Sequence, residues 1–107
     1  MKIFKISIGV ISETIVDDIE EFEAEEKEKT YCFTKDYRNI RLPKHKFNKI
    51  DTDFNILPSY IRFHCYTTED KIEEVRLNLK NRVAQEINKM YEKLTETESV
   101  FEEYLKH

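Results

Sequence analysis

Residues 67–107 read Thr67-Thr68-Glu69-Asp70-Lys71 and then IEEVRLNLKNRVAQEINKMYEKLTETESVFEEYLKH, with no glycine or proline anywhere in the run. Apolar residues recur at Ile72, Val75, Leu79, Val83, Ile87, Met90, Leu94, Phe101, Tyr104 and Leu105. That is the i, i+3, i+4 spacing of one helix face. Thr67 followed by Asp70 matches a capping box with Asp in place of Glu, and acids suit the positive end of a helix. From Val83 through Ile87, Met90, Leu94, Thr97 and Phe101 to Tyr104 the steps alternate four and three, a heptad seam.

An unbroken helix here has about 37 residues and spans roughly 55 Å at 1.5 Å per residue. A small domain cannot cover that length. Two outcomes are open: the helix runs through, or it breaks near Thr95–Ser99 and its last part folds back. In the second case Thr95 to Glu98 and Ser99 to Glu102 are the new capping boxes. Either outcome favours a homodimer or higher homo-oligomer, against the alternative of one helix lying wholly across its own sheet.

Upstream, the pattern has period two. Lys2–Ile11 places Phe4, Ile6, Ile8 and Val10 on one face and Lys5, Ser7 and Gly9 on the other, which predicts a half-buried strand with a bulge or bend at Gly9. Thr30–Thr34 and Arg38–Leu42 predict a hairpin, although its turn lacks Asn-Gly or Asp-Gly. Pro43 ends the second strand or confines it to an edge. Lys44–Pro58 reads as irregular, with Phe47, Ile50, Phe54, Ile56 and Leu57 tucked under the sheet. Tyr60–Tyr66 alternates again, Ile61, Phe63 and Cys65 against Arg62, His64 and Tyr66. The fold class is α+β: an N-terminal antiparallel sheet followed by a long amphipathic helix. Residues 1–107 form a single domain, 1–66 β-rich and 67–107 helical.

Charge is sorted along the chain. From Asp17 to Glu28 there are eight acids against one lysine, and Lys35–Lys49 is basic, with Asp36 its one acid. Carboxylates at helical spacings repel, so the acidic run predicts an exposed loop between strands. The two cysteines, Cys32 and Cys65, make no disulfide framework and predict buried free thiols. With neither a signal peptide nor an apolar run long enough to span a bilayer, a cytoplasmic protein is expected.

Little in the chain supports catalysis. His45, His64 and His107 lack metal-ligand spacing, and Cys65 and His64, adjacent on a strand, point to opposite faces. A single glycine leaves no backbone cradle for phosphate. The expectation is therefore no catalytic residues, no metal, no cofactor and no enzyme. The basic block does carry binding chemistry: cations for phosphate and aromatic rings for a base. Tyr37 would stack, and Arg38, Arg41 and His45 would hold a phosphate. Arg76 and Arg82 lie on or near the apolar stripe of the helix. They are cations aimed at a ligand between helix and sheet, or edge residues burying their stems. A solvated basic face is the competing reading of the block, and the acidic run competes as a surface for a basic protein partner.

The order of MKIFKISI, KTYCF and RNIRLPK strands before a helix opening at TTEDK resembles small accessory proteins of phages and prophages of low-GC Gram-positive bacteria. In outline it is similar to phage anti-Thoeris sponge proteins, which sequester a cyclic ADP-ribose signal without cleaving it. The resemblance implies an anti-defence protein acting by stoichiometric capture of a nucleotide-derived signal in the host cytoplasm. The alternatives are an acidic inhibitor docking on a defence protein or nuclease, as small anti-CRISPR proteins do, and a structural protein working through its helix.

Overall fold

The strand pattern of the front two-thirds and the helix pattern of the last third both form. The computed structural model of the chain describes residues 1–52 and 56–107; Phe54, one of the expected anchors, lies outside them. In chain order the elements are β1 (Lys2–Ile11), β2 (Thr14–Glu23), β3 (Glu25–Glu26), β4 (Thr30–Lys35), β5 (Arg38–Pro43), β6 (Asp51–Thr52), β7 (Tyr60–Thr67) and α1 (Ile72–Leu105). Single 3-10 turns at Lys44–Lys46 and Glu69–Lys71 precede β6 and α1. One sheet has the order β2-β1-β7-β6 and the other β3-β4-β5, with every pairing antiparallel.

Three layers result. On one side of β1 and β7, Ile6, Ile8, Ile61, Phe63 and Cys65 meet Val75, Leu79 and Val83 of α1. On the other side Ile3, Phe22 and Tyr66 meet Tyr31, Phe33, Ile40 and Leu42 of the small sheet. Each fully buried Leu, Ile or Phe contributes about 1.5–3 kcal/mol by leaving water. The alternation read from Lys2–Ile11 and Tyr60–Tyr66 is therefore the division between two cores.

Several expectations need correction. The acidic run is not a loop. Residues 14–23 are the edge strand β2, paired with β1 along its whole length. A strand turns successive side chains to opposite faces, so the carboxylates never stack as on a helix. They also find cations: Glu21 with Lys2, Glu20 with Lys35, and Asp17 with Arg76. Gly9 makes no bulge, since the register runs through it to Val16 and Arg62. It is glycine because a Cβ there would sit 2.0 Å from the Ile61 carbonyl oxygen.

Thr67 does not cap the helix. It is fully buried, and its hydroxyl donates to Asn48 Oδ1 at 2.6 Å. The helix starts from the 3-10 turn after Thr68 instead. Nor does the helix break near Thr95–Ser99: α1 is continuous over 34 residues. The Thr95 and Thr97 hydroxyls donate back to the Tyr91 and Lys93 carbonyls at 2.9 Å, so they join the helix rather than cap a new one. Lys44–Pro58 is only partly irregular. Phe47 and Ile56 pack on the cores, and Ile50 and Leu57 stay exposed. Of the two free thiols, Cys65 is buried and Cys32 half-buried.

Candidate functional site

The predicted hairpin forms from β4 and β5, and its two-residue turn puts Asp36 and Tyr37 at φ 51° and 63°. Positive φ at both central residues marks the primed turn that suits strand twist, here reached without glycine. The β1–β2 turn does the same with Ser12 and Glu13. Tyr37 consequently stands fully exposed at the hairpin tip.

The six predicted ligand residues do not converge. Arg38 shares the face of Ile40 and Leu42, so it lies on the underside of the hairpin toward the large sheet. Arg41 shares the opposite face with Asn39, over Cys32 of β4. Shallow hollows sit on both faces, one lined by Lys35, Asp36, Arg38 and Ile40, the other including Glu25, Cys32, Asn39 and Arg41. His45 is exposed in the 3-10 turn after β5.

Arg76 and Arg82 are on α1, across the large sheet from the hairpin, and both have structural partners. Arg76 donates to Asp17 Oδ2 at 2.6 Å and also faces Glu73. The Asp17 hydrogen bond, reinforced by its charge, raises the guanidinium above its ordinary range. Arg82 lies over the Phe63 ring, 5.3 Å from its centroid, with Nε 3.6 Å from Glu86. These are stems bridging helix and sheet.

Cys65 and His64 lie on opposite faces of β7, as expected. Burial pushes the Cys65 thiol up to about 11, so it is no nucleophile near neutrality. Among the described residues no group of three or more His, Cys, Asp or Glu is placed to hold a metal ion. Nor is any helix among them long and apolar enough to cross a membrane.

The feature that stands out is the far half of α1. Its first turns bury Val75, Leu79 and Val83. Past Met90, which still packs on the helix-side core, no residue of α1 is even half-buried. Tyr91 is 71% exposed, Leu94 66%, Val100 73% and Phe101 57%, and Tyr104 and Leu105 are similar. Phe101 and Tyr104 stack on each other at 5.8 Å and help line a shallow hollow with Thr97 and Val100. The chain measures 65 × 25 × 24 Å, the long dimension being that of the helix.

No protein-family model, curated protein or solved structure matches the chain. Only the chain's own geometry bears on its function. Sequence periodicity found most of the exposed stripe but missed Tyr91 and Val100. Both flank the seam at its neighbouring heptad positions, and counting those positions would have included them.

Proposed function

We propose that this chain is a binding protein that works by stoichiometric protein–protein association, with the far half of α1 as its contact surface. The observation that carries this is the apolar stripe from Tyr91 to Leu105, which none of the described residues covers. A monomer gains nothing from holding Leu94, Val100 and Phe101 in water. An isolated helix of this length is also marginal without packing. Contiguous exposed apolar surface of this extent marks an interaction site.

A photo-crosslinking residue at Val100, in cells expressing the full chain, tests the reading. A protein adduct is expected there, and none from the same residue at Tyr37. Absence of any adduct at Val100, or at Leu94 used as a second position, overturns it.

A second reading keeps nucleotide capture, the role that resemblance to anti-defence sponge proteins suggests. It is favoured by the fully exposed Tyr37 ring beside the hollow that holds Lys35 and Arg38. A base on Tyr37 and a phosphate on Arg38 would be the contacts, Lys35 being held by Glu20. Arg41, Arg76 and Arg82 have no part in that version of the site. If it holds, native mass spectrometry of the purified chain shows a nucleotide-sized mass that Arg38→Ala removes.

A further inference from the structure

Resting on the reading of α1 as a contact surface, we infer that its partner is a second copy of this chain, packed antiparallel along residues 87–105. Three observations lead there: the seam, the position of the sheet, and an apolar rim.

The seam has the right width and pattern. With Tyr91, Val100 and Leu105 beside it, and its aromatics 57–71% exposed, the seam presents on the order of 700 Å² per chain. That exceeds the roughly 300–600 Å² largest patch of an ordinary monomer and is close to the roughly 800 Å² per partner of a stable interface.

The sheet then decides the orientation. Val83 and Met90 of the seam both pack on the helix-side core, so seam and sheet occupy the same side of the helix. A parallel, in-register copy would wedge both sheets between the helices, holding them far beyond the 8–10 Å of packed helices. An antiparallel copy overlaps along residues 87–104, where of the seam residues only Met90 still touches the helix-side core. Its core layers are Ile87 on Tyr104 of the second copy, Met90 on Phe101 and Leu94 on Thr97, each occurring twice. Beside them Tyr91 adjoins Glu98 of the other chain, and Glu86 adjoins its His107, so no like charges meet.

The rim completes the fit. α1 leaves the sheet over the end formed by Val10, Ile15 and Ile61, which pair across the strands. Ile15 is 71% exposed there, and Leu57 beside Tyr60 is 55% exposed. In the antiparallel pair the last turn of each helix, with Leu105, arrives at this rim. One arrangement thus covers two separate apolar exposures.

The experiment has two parts on the purified full chain. Sedimentation equilibrium is expected to give a dimer, with Phe101→Glu raising its dissociation constant at least about a hundredfold. Phe101 lies outside both cores, so a far-ultraviolet spectrum that keeps its strand signal confirms the variant is folded. Orientation comes from nitroxides at Lys106→Cys in a Cys32→Ser background. The antiparallel pair places them roughly 30 Å apart, given the 1.5 Å rise per residue, and the parallel pair within about a helix diameter. A monomer at ~100 μM overturns the second copy as partner. A Val100 adduct of foreign mass would then leave the contact-surface reading standing. A dimer insensitive to Phe101→Glu, or one with close nitroxides, overturns the packing.

Discussion

Two residues show how sparingly this chain uses its special side chains. Gly9 is its only glycine, placed not at a turn but mid-strand, where the β7 backbone passes too close for any Cβ. The clashing atoms are backbone, which cannot rotate away. Gly9→Ala is expected to cost about 3 kcal/mol or more, read as a lowered urea midpoint at unchanged slope. A stability loss below about 0.5 kcal/mol would show that β1 and β7 separate easily there. Cys65 carries a pH signature. Its folded thiol titrates near 11 because of burial, against an ordinary value of 9.0. Above pH 9 the unfolded chain releases this proton while the folded chain keeps it, so stability falls as pH rises toward 11. The loss attributable to Cys65 is about 2 kcal/mol, and Cys65→Ala should flatten the alkaline limb of a stability-against-pH curve. Below pH 8 the thiol is protonated in both states and contributes no slope.

At the scale of elements, legibility followed how local the cause was. Strands β1 and β7 and the helix were readable because their apolar period reports burial directly. The β4–β5 hairpin was readable even with Asp36-Tyr37 in place of a glycine turn. The acidic strand β2 was not, because its pairing is supplied by β1 and its cations come from Lys35 and Arg76, distant in sequence. The capping signals at Thr67, Thr95 and Ser99 misled for a related reason. A hydroxyl near a helix serves as cap, core donor or back-bonded side chain, and only tertiary context chooses. Within α1 the two halves differ in what holds them. Amides of residues 75–86 should exchange with deuterium only on global unfolding. In the Phe101→Glu variant those past Tyr91 should exchange at least about a hundredfold faster. Equal protection of both halves in that variant would mean the far half is held by its own chain.

Over the whole molecule, the candidate site was legible in part. The seam came from spacing alone, whereas the apolar rim at Ile15 and Leu57 has no sequence signal, since exposure there depends on where the sheet ends. The predicted cluster of arginines was undone by strand parity and by acids on neighbouring elements, neither visible in the charge pattern. The order of the large sheet has one more consequence, for synthesis. β1 leaves the ribosome first, but its inner partner β7 is made about fifty residues later, some seconds at ordinary elongation rates. Through that interval the nascent chain can complete the β1–β2 hairpin and the small sheet, but Ile6 and Ile8 still face water. The carboxylates of β2 then form an anionic fringe on that half-built sheet, repelling neighbouring nascent chains on a polysome until β7 and the helix arrive.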